Sequence, residues 1–273
     1  GQAYTGRAVA FASQGHLDLA TADFSRARIA LQLAGDTLAL GRVEANEAVV
    51  DGKRGHYAEA LAGDLRAAQR FQRFGALNEQ VSTLTNAAEA QLMLLRPADA
   101  LATSERTWPL PGRLEDPIAI HNYLAQRAQV LLANGRIAET RALLGKLAAE
   151  VPDDHDRAVL ANVQLQQARL ALLDNRPDRA SVFAANAVAV FTSTDYQRER
   201  ASAWLLLARA LHAQGKNDEA SAETTRLQAW AKSITAPPVP VYAALADAER
   251  DVAQHKLDAS RAGYARALAL ADK

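Results

Sequence analysis

Four groups of residues in this chain have types and spacings that could do chemistry. The first is Asp153-Asp154-His155-Asp156. Carboxylates and an imidazole are ordinary ligands of divalent metals. Adjacent residues rarely converge on one ion, however, and the run stands just before a predicted helix, where aspartates cap the N-terminus. No metal site is assigned to it. The second is the set of six histidines. His16 and His56 follow a glycine at equivalent places, and His121, His212 and His255 are isolated in sequence. No His-Glu-x-x-His or Gly-x-Ser-x-Gly pattern occurs, and Gly145-Lys146 lacks the upstream glycine and the strand of a phosphate loop. No catalytic residue, metal or cofactor is therefore expected.

The third group consists of side-chain amides at a fixed interval. Asn46, Asn86, Gln126 and Gln166 stand 40 residues apart, as do Asn122 and Asn162, and Gln129 shares its register with Glu89 and Glu249. An amide both donates and accepts. A series of them along one face can pair with the backbone of an extended peptide whatever its sequence. The plainer alternative is that they solvate a helix surface. The fourth group is Arg169 and Arg209, in the same register as Gln129. A guanidinium there can hold a carboxylate in two-point fashion, or it can pair with a neighbouring glutamate of the chain.

The interval shows which elements position these residues. In rows of 40, the eighth column reads Ala8, Ala48, Ala88, Ala128, Ala168, Ala208, Ala248, and the twentieth reads Ala20, Ala60, Ala100, Thr140, Ala180, Ala220, Ser260. Small residues in two columns mark a place where two helices cross closely. Column 15 reads Gly15, Gly55, Leu95, Gly135, Asn175, Gly215, His255. Glycine and asparagine suit the left-handed conformation that ends a helix. The nine prolines avoid the predicted helix interiors. Each row therefore reads as helix A over columns 2–14, a tight turn, helix B over columns 17–32, and a linker. The repeats are 1–40, 41–80, 81–120, 121–160, 161–200, 201–240 and 241–273, a single array of seven antiparallel helix pairs.

These columns resemble the tetratricopeptide repeat. The first row carries the pattern in Tyr4, Ala8, Phe11, Gly15, Leu17, Ala20, Phe24 and Ala27, and the sixth in Trp204, Leu207, Ala208, Leu211, Gly215 and Ala220. The middle rows depart from it, with Asp51, Asp64, Gln91 and Ser104 where bulk is expected. The period of 40 exceeds the family's usual 34, and the additional residues are expected to lengthen helix B and the turn between repeats. The resemblance implies an all-α, right-handed superhelical solenoid. Helix A would line its concave side, with columns 2, 5, 6, 9, 12 and 13 facing the groove. Asn46, Asn86, Asn122, Gln126, Gln129, Asn162, Gln166, Arg169 and Arg209 would then be peptide-binding residues. The family's two-carboxylate clamp is not carried over, because Thr5, Val9 and Ser82 occupy its positions. Long-period arrays of this kind look like the sensor and scaffold regions of bacterial regulators and Ser/Thr kinases.

Composition agrees with an interaction module. Lys plus Arg, 31, equals Asp plus Glu, 31, so no net field attracts nucleic acid or an anionic membrane, and no apolar run is long enough to span a bilayer. No cysteine is present, so no disulfide can form; the compartment is left open between cytoplasm and periplasm, with the absence of cysteine leaning towards the periplasm. The opening Gly1-Gln2-Ala3-Tyr4 reads as a piece of a longer protein, with a removed signal or anchor upstream left open. The expected function is binding of a protein or peptide segment in the groove, within a larger bacterial signalling protein. The alternative is a scaffold that self-associates through the apolar end at Ala267-Leu268-Ala269-Leu270. Phe71, Phe74, Trp108, Trp204 and Trp230 are expected in the core.

Overall fold

The computed structural model describes residues 1–150, 157–234 and 236–271. Among these, fourteen α-helices follow one another. They are α1 (Gln2–Ser13), α2 (Leu17–Ala34), α3 (Thr37–Arg54), α4 (Tyr57–Phe74), α5 (Leu77–Met93), α6 (Pro97–Thr107), α7 (Pro117–Ala133), α8 (Ile137–Glu150), α9 (Arg157–Leu173), α10 (Pro177–Thr192), α11 (Gln197–Ala213), α12 (Asn217–Ala231), α13 (Pro238–Ala253) and α14 (Leu257–Ala271). A single 3₁₀ turn, Pro111–Arg113, separates α6 from α7. The all-α class of the sequence reading holds. The chain forms two compact units, Gly1–Thr140 and Arg141–Lys273. Within each, consecutive helices pack together and odd-numbered helices also touch the next odd-numbered one, as α3 with α5 and α11 with α13.

The turns have one design. At each A–B turn the residue in column 15 has positive φ, including three that are not glycine: Leu95 (57°), Asn175 (54°) and His255 (57°). The next residue donates its backbone N–H to the carbonyl five positions back, as His16 to Phe11 at 2.9 Å, Arg96 to Gln91 at 2.8 Å and Lys256 to Asp251 at 2.8 Å. This closes the helix end by satisfying carbonyls that have no intrahelical partner. The same turn recurs between repeats at Gly35 (69°) and Gly75 (66°). In the first two repeats the residues beyond the 34-residue period therefore do not lie in a longer inter-repeat turn, whereas the third repeat does have a longer connection, from Trp108 to Asp116. In the first two repeats that turn is as short as the other, and the extra length is helix: α2, α3 and α4 have 18 residues each. Helix A begins about four residues before the row boundary, at Thr37 and Leu77, not at column 2. Asp36 caps α3 by accepting from the Ala39 N–H at 3.0 Å.

Proline obeys these boundaries. Pro97, Pro117, Pro177 and Pro238 open their helices, where the missing N–H costs nothing. Pro240 falls in the first turn of α13, and Pro152 and the Asp153–Asp156 run lie outside the described residues.

The two small columns are buried throughout, from Ala8 and Ala20 to Ala248 and Ser260. Spacing is tightest where column 8 meets column 23. A Cβ placed on Gly63 would lie 3.0 Å from the Ala48 Cβ, and one on Gly263 would lie 2.8 Å from the Ala248 Cβ. The second unit has the more apolar core, with Leu165, Phe191, Trp204, Leu205, Leu227 and Val239 in one cluster. The first unit buries Phe24, Leu31, Val43 and Val50 together, then turns polar where Asp64, Gln91 and Ser104 replace bulk, all three buried. Phe71 is buried as expected, but Phe74 is 54% exposed and Trp108 50% exposed. Both stand at the last residue of a helix or just past it; Trp108 still meets Tyr123 and Arg127 of α7.

Candidate functional site

The residues at columns 2, 6 and 9 of the odd-numbered helices are best taken unit by unit. In the first unit, Asn46 on α3 and Asn86 on α5 are half-buried, as is Gln129 on α7, while Asn122 on α7 is exposed. None of these four amides has a hydrogen-bond partner within the described chain, in contrast to Asn134, which donates to the Pro97 carbonyl at 2.9 Å. Gln126 differs. It is buried, and neither its Nε2 nor its Oε1 finds a partner. The third amide of the series thus lies beneath the surface that Asn46 and Asn86 reach. Val9 and Val49, in column 9 of the first two repeats, are each 43% exposed.

In the second unit, Asn162 on α9 is half-buried and without a hydrogen-bond partner among the described residues. Gln166, one turn further on, is buried and committed: its Oε1 accepts from Arg169 Nη1 at 3.1 Å. Arg169 Nη2 donates across to Ser202 Oγ on α11 at 2.9 Å. Both partners are neutral. Arg209, the next arginine of the column, is instead clamped by Glu249 on α13. Its Nη2 lies 2.6 Å from Glu249 Oε1 and its Nε lies 2.9 Å from Oε2. The carboxylate raises the pKa of Arg209, whereas burial lowers that of Arg169. Two arginines in one column thus have different states: one neutralised, one with its charge uncompensated by a bonded carboxylate.

Two arginine–aromatic clusters escaped the sequence reading. The Arg200 guanidinium lies 4.7 Å from the Trp204 ring centre and 4.5 Å from that of Trp230. Arg127 lies 4.4 Å from the ring of Trp108 and donates to Ser104 Oγ at 2.9 Å and to Glu105 Oε1 at 3.0 Å. The signal for Arg200 was its place one helical turn before Trp204. Arg127 has no comparable cue, since its partners lie on α6.

Three of the histidines have structural surroundings. His16 meets the Phe11 ring edge-on, His212 Nδ1 is 3.0 Å from Asn217 Oδ1, and His255 forms a turn. Among the described residues, no group of three or more His, Asp or Glu could hold a metal, and no helix is long and apolar enough to cross a membrane.

No protein-family model and no curated protein matches the chain. Solved structures do. The Rap conjugation gene regulator of the plasmid pLS20, in complex with the Phr* peptide, is similar over 98% of this chain and 73% of its own, with a TM-score of 0.75 and 12% identity. BtubC (BKLC) from P. vanneervenii is similar over 81% of this chain and 90% of its own, with a TM-score of 0.57 and 13% identity. At these identities the likeness is one of helical-repeat fold.

Proposed function

We propose that this chain is a peptide- or protein-binding module, and that an extended segment lies along the odd-numbered helices within a unit. One observation carries the reading. At columns 2, 6 and 9, Asn46, Asn86, Asn122, Gln129 and Asn162 reach the surface with no hydrogen-bond partner inside the described chain. Amides that take no part in the fold are available to the backbone of a bound segment, which they recognise through its N–H and C=O groups. The fold agrees, since the Rap regulator of similar architecture was solved with a peptide. We further propose that the module belongs to a larger bacterial signalling or regulatory protein and that it is not an enzyme.

The test is selection from a displayed library of random peptides, with Asn86→Ala/Gln129→Ala beside the parent chain. Both substituted residues lie in the first unit and neither is in the core, so melting should not change. Loss of about tenfold or more in affinity for the selected peptides is expected, given ~1 kcal/mol for each lost hydrogen bond. Failure to enrich any peptide, or peptides indifferent to both substitutions, would refute the reading.

A second reading has one observation behind it. Helix α14 leaves Leu257, Tyr264 and Leu268 exposed, at 61%, 42% and 65%. A scaffold that self-associates through this helix would sediment as a dimer, and Leu268→Asp would return it to a monomer.

A further inference from the structure

The geometry points to a carboxylate subsite on the second unit, formed by Arg169 with Gln166 and Ser202; this rests on the peptide-binding reading and gives that ligand an acidic group. Arg169 has more donors than the chain uses. A guanidinium carries five N–H groups and no acceptor. Two are used, one on Gln166 Oε1 at 3.1 Å and one on Ser202 Oγ at 2.9 Å. Three remain. Each partner spends an acceptor lone pair on Arg169, while the Gln166 amide hydrogens and the Ser202 hydroxyl hydrogen stay unspent. The complement of such a cluster is an anion.

Charge leads to the same conclusion. The other arginines close to Arg169 have acids of their own. Arg209 is held by Glu249, and Arg198 binds Glu199. Among the described residues no carboxylate bonds Arg169. Glu199 and Glu249 are therefore engaged, and one positive charge is left over at a half-buried position. Burying an arginine without a bonded anion is costly, and burial lowers its pKa. Here the two neutral hydrogen bonds hold the guanidinium between α9 and α11, so a ligand meets a fixed fork and not a mobile side chain. Planar, two-point recognition of this type suits a carboxylate. The carboxylate can be a peptide C-terminus or an aspartate or glutamate side chain.

The probe is N-acetylglycine, a blocked carboxylate, titrated into the chain labelled with nitrogen-15 at arginine; N-acetylglycinamide is the control. The Nε–Hε resonance of Arg169 is assigned by its loss in Arg169→Lys. A saturable shift of that resonance with the acid, absent with the amide, is expected. No shift at Arg169 would overturn the subsite, whether or not the chain binds peptides; a shift with no peptide enriched in the library selection would uphold it and remove the peptide reading instead. The wild-type titration remains decisive if a variant misfolds, since Arg169→Gln can supply the assignment. The source of the carboxylate is read with two pools of random peptides: one with a free C-terminus and no Asp or Glu, one amidated and containing them. Whichever pool binds should lose roughly 10- to 100-fold in affinity with Arg169→Gln. Equal binding by a pool that is both amidated and free of Asp and Glu would overturn the proposal.

Discussion

Asp64 gives the sharpest test of how this core is built. It stands on α4 at the column where Phe24 and Leu144 are buried in other repeats, and it is only 2% exposed. Its Oδ1 has no partner. Burial, with a smaller contribution from the charge of Glu89, pushes its pKa from 3.8 up to about 8. The carboxyl is then protonated in the folded chain at neutral pH and ionised in the unfolded one. A pKa raised by folding contributes stability that is complete below about pH 4 and declines as pH rises, until it is gone above about pH 8. Each pH unit in that interval is worth ~1.4 kcal/mol, so the full span has a ceiling of roughly 6 kcal/mol, before any relaxation that lets water in. Asp64→Asn keeps the shape and removes the titration. The variant should match the parent near pH 4, exceed it by several kcal/mol at pH 8, and run parallel above that. Denaturant unfolding of both proteins from pH 4 to pH 9 gives the difference directly. A difference that does not change with pH would refute the assignment of Asp64 as a buried, uncompensated acid.

Two further predictions concern the backbone. Leu95→Gly should raise stability by about 1 kcal/mol, because Leu95 holds a positive φ of 57° while its side chain is 88% exposed and loses little packing; thermal unfolding checks it, and a lower melting temperature would contradict the turn assignment. Gly263→Ala should destabilise by ~1–3 kcal/mol through overpacking, since the new Cβ would lie 2.8 Å from that of Ala248; unchanged stability in denaturant would show that α13 and α14 do not cross at these residues.

What was legible in the sequence were the positions that geometry forces. A close crossing admits little more than alanine, so Ala8, Ala48, Ala88 and their successors record it in every row. A left-handed turn prefers glycine, so Gly15, Gly55, Gly135 and Gly215 record that. The first two turns between repeats use the same device, at Gly35 and Gly75; the corresponding residues later are Glu115, His155, Asp195 and Thr235, and the longer linker after α6 accompanies that loss. The start of helix A was misplaced because capping by Asp36 and Asp116 is local chemistry outside the repeat pattern. Phe74 and Trp108 were misjudged because hydrophobicity reports what a side chain prefers, while at a helix end neighbours cover only part of it: Trp108 meets Tyr123 and Arg127 and is still half exposed.

The state of the two column-9 arginines depended on register, and register was available. Arg209 and Glu249 occupy one column in successive repeats, and odd-numbered helices of successive repeats touch, so a pair across 40 residues follows. Arg169 looks along the same column at Arg209 and finds no acid. The turn and crossing columns are tied down by folding; column 9 is nowhere fully buried and column 2 only at Ser202, whereas column 6 is free in the first three repeats and buried from Gln126 onward. That freedom lets neighbouring repeats carry amides in the first unit and a guanidinium in the second without disturbing the stack. Where folding makes no demand, residue choice reports another demand. An arginine left half-buried with neutral partners is the costliest such choice on this face, which makes it the place where a ligand contributes most.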